Sequence, residues 1–275
     1  MNEEQEGIRV AEGLLDAFGM DTLPIKPELV VLEINSASFK VEFIEQEFSE
    51  NILGRAIGNE RAAVISVRNS IAPRERYNFT LAHEIGHVCM HISFGKKSVF
   101  NCGESEFSSS SPHNDPYERQ ANGFASGLLM PRTLIKSITD GEMVWKNIST
   151  IGKQCGSSLE ASYRRLSKLS RTPSAMIIHK NNGESFSRFI ASDNFDFFIK
   201  REALSCDQKM LSVDIKIDRF PNSLETVDAS DWIDPTKRGI TLRTIYASTI
   251  ALESGFLYTL LSYDDECIEE DDSQE

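Results

Sequence analysis

The stretch Leu81-Ala82-His83-Glu84-Ile85-Gly86-His87-Val88 carries two patterns at once. Leu81, Ile85, Val88 and Ile92 recur at i, i+4, i+7 and i+11, which predicts an amphipathic helix starting at Pro73, where a proline costs no backbone bond. On that helix His83 and His87 stand one turn apart, about 40° around the axis and roughly 6 Å along it. Two imidazoles at this spacing can meet one metal ion. Glu84 projects beside the pair, where a carboxylate can take a proton from water and pass it on. This is the H-E-x-x-H pattern, on the kind of helix that its chemistry requires.

A zinc ion that does chemistry takes three protein ligands, at about 2.0–2.1 Å for nitrogen, and keeps a fourth position open. One more ligand must therefore come from elsewhere. His91 continues the stripe but lies too far along the axis to share the ion, and reads as a structural neighbour or a substrate contact. Metzincins carry glycine three residues after the second histidine and histidine six after it; Met90 and Ser93 stand there, which excludes that class. Glu118, in Asp115-Pro116-Tyr117-Glu118-Arg119-Gln120-Ala121-Asn122, falls in the first turn of the next helix, which starts at Asp115-Pro116 and runs to about Met130-Pro131. Asp115 and Glu118 also have the spacing of a capping box, so spacing alone leaves Glu118 between ligand and helix terminus. His113, Glu104 and Glu106 are the alternatives. Asn122, one turn beyond Glu118, reads equally as orienting a ligand or capping backbone. Gly86 implies a close neighbour on the metal helix. Tyr117 and Tyr163 are weaker candidates for oxyanion donors, since core packing is the commoner fate of a tyrosine.

Around this centre the chain opens with an amphipathic helix from Glu3 to Met20, then a short helix after Pro24 and Pro27. Phe39–Phe43, Ile52–Ile57 and Ala62–Val67 read as strands of a small sheet. The Ser- and Gly-rich connection between the two metal helices, with Ser108 to Ser111, reads as a surface loop. After Glu142 two helices in tandem, parted by Gly156-Ser157, read as helix-turn-helix. Beyond Pro173 the pattern changes to strands: 175–180 and 185–190 flank the hairpin signal Asn182-Gly183, and 241–250 and 256–263 flank Gly255. The expected division is thus a 1–173 α+β domain that includes the helix-turn-helix-like segment 142–171, a β-rich domain 174–263, and an acidic disordered tail 264–275.

The net charge of −13 is concentrated at the C-terminus, where eight carboxylates between Asp264 and Glu275 leave −5 for the rest. Lys153, Arg164, Arg165, Lys168 and Arg171 cluster in the helix-turn-helix-like segment with Glu160 as the one carboxylate among them. That cluster reads either as a phosphate-contacting face or as part of the domain's packing. Five cysteines without a C-x-x-C pair favour neither a disulfide framework nor a cage of thiolates around zinc. No apolar run reaches membrane-spanning length and the acidic N-terminus lacks a secretory pattern, so a cytoplasmic protein with no membrane partner is expected.

Taken together, Arg76 to His87, then Glu118-Arg119-Gln120-Ala121-Asn122-Gly123-Phe124-Ala125 and Leu128-Leu129-Met130-Pro131, resemble the ImmA/IrrE family of metallopeptidases from about Pro24 to Pro173. The resemblance implies a zincin-like fold with one Zn²⁺ held by His83, His87 and Glu118, and Glu84 as general base. It implies an endopeptidase that cuts a helix-turn-helix repressor or antitoxin, derepressing genes of the DNA-damage response, mobile-element transfer or phage defence. By analogy with relatives that carry a C-terminal GAF-like domain, the β-rich region is expected to be sensory, with single-stranded DNA or a small ligand as activator. The competing expectations are a regulatory protein that displaces a repressor without cutting it and holds a structural metal, and a regulator that binds DNA directly through 148–171.

Overall fold

The computed structural model describes residues 2–48, 51–103, 115–210, 212–214, 220–237 and 240–269. Among these the architecture is mixed α+β with a β-rich C-terminal region, as expected. The chain divides into two compact units, residues 1–138 with 151–158 and residues 139–150 with 159–275.

The first unit begins with α1 (Glu3–Phe18) and α2 (Pro27–Ile34). Asn2 caps α1 by accepting from the Gln5 amide at 2.8 Å, and Gly19 ends it in the left-handed region. Strands β1 (Lys40–Gln46), β2 (Ile52–Gly58), β3 (Ala62–Arg68) and β4 (Val99–Gly103) form a sheet of order β1-β3-β2-β4. β1 runs parallel to β3 and the other pairs are antiparallel. β4 is an edge strand that pairs with β2 across an irregularity between Ile52 and Gly54.

The metal-motif helix is α3 (Arg74–His87), and its turns continue as a π turn over Val88–Ile92. Leu81, Ile85, Val88 and Ile92 are fully buried, so the apolar stripe read from the sequence is the face on the core. Next come α4 (Pro116–Leu129) and α5 (Arg132–Ile138). α4 crosses α1 with backbone against backbone: a Cβ on Gly7 would stand 2.0 Å from the Gln120 carbonyl oxygen, and one on Gly123 2.1 Å from that of Glu4. That crossing requires glycine on both helices. It brings the acidic face of α1 beside the helix that carries Glu118.

α6 (Trp145–Cys155) and α7 (Leu159–Leu169) are the two tandem helices. Residues of α6 fall in both compact units, with Thr150 the last in the second unit and Ile151 the first in the other. Arg165 of α7 is buried, so it cannot belong to an exposed phosphate-binding face. In the second unit Glu160 pairs with Arg188.

That unit holds β5 (Ser174–Lys180), β6 (Ser185–Ala191), β7 (Phe198–Ile199), the short helix α8 (Cys206–Met210), β8 (Val213–Asp214), β9 (Glu225–Asp228), β10 (Ile233–Asp234), β11 (Thr236–Lys237), β12 (Ile240–Thr241), β13 (Thr244–Ala251) and β14 (Leu257–Ser262). The main sheet runs β6-β5-β14-β13-β8, with β9 also on β13. Asn182 and Gly183 turn β5 into β6 with φ of 51° and 85°, the conformation that Asn-Gly supplies at low steric cost. The core gathers Ile177, Trp232, Ile245, Leu257 and Leu261.

The expected acidic tail from Asp264 is ordered through Glu269. Asp264 accepts from the Glu266 amide, Cys267 is buried, and Ile268 bridges to Leu242. Charge count concealed the two apolar residues that anchor this segment; 270–275 lie outside the described residues. No helix among the described residues is long and apolar enough to cross a membrane.

Candidate metal centre

His83 and His87 point the same way from α3, and their Nε2 atoms lie 3.0 Å apart. Both are fully buried, as is Glu84 between them in sequence. From α4, Glu118 brings one carboxylate oxygen to 3.1 Å from His83 Nε2 and the other to 3.4 Å from His87 Nε2. Helix capping is left to Asp115, which accepts from the Tyr117 amide at 2.8 Å. The ambiguity in the Asp115/Glu118 spacing thus resolves spatially: Glu118 turns inward. His113, Glu104 and Glu106 lie outside the described residues.

A fourth group, absent from the sequence expectations, completes the cluster. Cys102 on β4 is fully buried, with Sγ 3.6 Å from His87 Nε2, and candidate ligand atoms of His83, His87, Cys102 and Glu118 all lie within 4.8 Å of one another. No spacing rule links Cys102 to the helices. Only the pairing of β4 with β2 brings it there.

The outer nitrogens of both histidines are held by hydrogen bonds. His83 Nδ1 lies 3.0 Å from Asn122 Oδ1, so the amide oxygen accepts from Nδ1–H and leaves the Nε2 lone pair facing Glu118. Of the two roles open to Asn122, it therefore takes the orienting one. His87 Nδ1 lies 3.1 Å from His91 Nδ1, His91 Nε2 lies 2.9 Å from Gln120 Oε1, and Gln120 donates through Nε2 to Glu6 at 2.8 Å. The carboxylate of Glu6 fixes the direction of this chain. It makes Gln120 Oε1 an acceptor for His91 Nε2–H, His91 Nδ1 an acceptor for His87 Nδ1–H, and leaves the His87 Nε2 lone pair inward. His91 is thereby a positioning neighbour of His87.

Electrostatics agree with neutral imidazoles at His87 and His91. Burial lowers His87 to about 3, against the opposing influence of the nearby Glu118 carboxylate, and burial lowers His91 to about 4. For Glu118 burial works upward, but the adjoining imidazoles of His83 and His87 outweigh it and hold the carboxyl well below the usual range. Two inward lone pairs 3.0 Å apart, facing an ionised carboxylate in a buried pocket, are a donor set that a divalent cation satisfies. The residues fit zinc.

Packing sets the geometry further. Phe100 of β4 stacks on the His87 ring at 3.9 Å, and the Tyr117 ring lies 4.7 Å from that of His91. Gly86 has the close neighbour expected of it, since a Cβ there would sit 3.0 Å from the Phe124 Cβ. Gly54 of β2 makes room for Glu84: a Cβ at Gly54 would stand 2.4 Å from Glu84 Oε1. Tyr163 donates its hydroxyl to the Ser174 carbonyl at 2.9 Å, which accounts for it as a structural residue.

An α+β domain with H-E-x-x-H on one helix, a glutamate from the next and the motif's own glutamate buried alongside is the arrangement of the zincin-like metallopeptidases. Residues 37–167 match the family model described as Peptidase_M78, IrrE N-terminal-like domain. No curated protein matches the chain significantly. A solved structure described as a Mycobacterium tuberculosis transcriptional regulator aligns at 15% identity and a TM-score of 0.49, covering 94% of this chain and 88% of that one.

Proposed function

We propose that this chain is a zinc-dependent endopeptidase that cleaves a helix-turn-helix repressor or antitoxin in the cytoplasm. The observation that carries the reading is the convergence of His83 Nε2, His87 Nε2 and the Glu118 carboxylate beside Glu84 within the residues that match the Peptidase_M78 model. His83, His87 and Glu118 would hold the ion. Zinc held there supplies a Lewis acid toward the scissile carbonyl and lowers the pKa of water. Glu84 takes the proton from the attacking water and returns it to the leaving amine. Asn122 and the His91–Gln120–Glu6 chain keep the imidazole lone pairs directed inward, which limits reorganisation when substrate enters. The β-rich C-terminal region receives the activating signal, single-stranded DNA or a small ligand, and the derepressed genes serve stress, mobile-element or phage-defence responses.

A second reading is favoured by one observation. Cys102 offers a fourth protein ligand, and zinc sites closed by four protein ligands are structural. On that reading the protein displaces a repressor without cutting it. Co-expression with each small helix-turn-helix protein encoded nearby, followed by mass spectrometry, separates the two. The peptidase reading expects defined repressor fragments with wild type and none with Glu84→Gln. Relief of repression by Glu84→Gln equal to wild type, with intact repressor in both, selects the second reading.

A further inference from the structure

We infer that Cys102 is a fourth protein ligand of the ion, and that in the resting protein its thiolate occupies the position the attacking water needs. The inference rests on the reading of His83, His87 and Glu118 as a metal site. It reconciles the peptidase motif with the closed ligand set, because the site becomes a latent form of the catalytic one.

Three observations carry it. The first is metric. Tetrahedral zinc with nitrogen or oxygen at about 2.0–2.1 Å and sulfur at about 2.3 Å places neighbouring N/O ligands roughly 3.4 Å apart and an N–S pair roughly 3.6 Å apart. The contacts here are 3.0, 3.1 and 3.4 Å among His83, His87 and Glu118, and 3.6 Å from Cys102 Sγ to His87 Nε2.

The second is directional. Phe100 and Cys102 alternate onto one face of β4, where both are buried, and Phe100 stacks on His87. Cys102 is the cross-strand partner of Gly54, whose missing Cβ would touch Glu84, so this face of the sheet looks onto the catalytic turn of α3. The strand that orients one ligand ring therefore delivers the thiol.

The third is chemical. Thiolate is a preferred zinc ligand, and zinc binding deprotonates a coordinating thiol. With the sulfur bound, four protein atoms complete a tetrahedral shell and the water position is filled. Release of Cys102 opens it, while His83, His87 and Glu118, all on α3 and α4, keep the ion.

Cobalt substitution of the full-length protein tests this without a substrate. Metal-stripped wild type titrated with Co²⁺ is expected to bind one ion per chain and develop a near-ultraviolet thiolate-to-cobalt charge-transfer band. Cys102→Ser is expected to keep the ion and lose the band, and Cys89→Ser to keep both. Acetohydroxamate is expected to change the visible cobalt spectrum of Cys102→Ser at concentrations that leave wild type unchanged. Stoichiometric Co²⁺ in wild type without the band overturns the inference and leaves the three-ligand site standing. Failure of wild type to bind Co²⁺ overturns both. Equal response of wild type and Cys102→Ser to hydroxamate overturns the blocked position. Should Cys102→Ser not fold, zinc X-ray absorption of wild type decides: a sulfur scatterer at about 2.3 Å supports the ligand, and a shell of nitrogen and oxygen alone rejects it.

Discussion

Replacing His91 by Phe tests whether the buried chain behind His87 sets metal affinity. Phe fills a similar volume between Phe100 and Tyr117, whose rings lie 5.3 and 4.7 Å from that of His91, so the fold should survive. What disappears is the acceptor 3.1 Å from His87 Nδ1. Without it the His87 proton moves to Nε2, where a Glu118 oxygen at 3.4 Å can accept it. Metal then binds only after the proton returns to a buried Nδ1 with no acceptor, at a cost of about 1–3 kcal/mol. That corresponds to roughly 5- to 150-fold weaker zinc binding, at about 1.4 kcal/mol per tenfold. Competition against a chromophoric chelator at neutral pH measures it, with circular dichroism to verify the fold. Affinity within about threefold of wild type in a folded variant would refute the relay.

Gly54→Ala is expected to push the Glu84 carboxylate aside, since the new Cβ would meet Oε1 at 2.4 Å. Cleavage rate should fall about 100-fold, the scale of a 1 Å misplacement, with zinc content retained; steady-state kinetics and metal analysis check both. Asn122→Ala should weaken zinc binding about 10- to 100-fold by freeing the His83 ring, as loss of an outer-shell partner commonly does. The chelator competition used for His91→Phe reads it. The metal-free protein should lose stability as pH falls below about 6.5. His87 and His91 are held neutral, with pKa lowered to about 3 and 4, so below 6.5 the unfolded chain binds more protons. Each contributes a slope of about 1.4 kcal/mol per pH unit until its folded pKa is reached. Urea unfolding in chelator at several pH values measures the slope, and His91→Phe should remove about half of this two-histidine contribution; a flat profile would argue against buried neutral imidazoles.

What was legible in the sequence was local. α3 and α4 announce themselves through the Leu81–Ile92 stripe and through Asp115-Pro116, and both are set by contacts within a few residues. The β5–β6 hairpin is legible because Asn182 and Gly183 adopt the positive φ that their residue types favour. What stayed hidden depends on chain segments meeting at a distance. Cys102 lies in a connection read as loop, and becomes part of the site only because β4 pairs with β2. Gln120 and Glu6 are 114 residues apart, and meet because Gly7 and Gly123 let α1 and α4 touch backbone to backbone. The π turn at Val88–Ile92, which sets His91 against His87, carries no mark in an ordinary helical stripe.

The most direct measurement is zinc content after exhaustive dialysis of the wild type beside Glu84→Gln, His83→Ala and Glu118→Ala. The account predicts about one zinc per chain in the first two and a large loss in the others, because Glu84 moves protons whereas His83 and Glu118 hold the ion. Full zinc in folded Glu118→Ala, kept also when Cys102→Ser is added to remove the thiol, would contradict it and take Glu118 out of the ligand set.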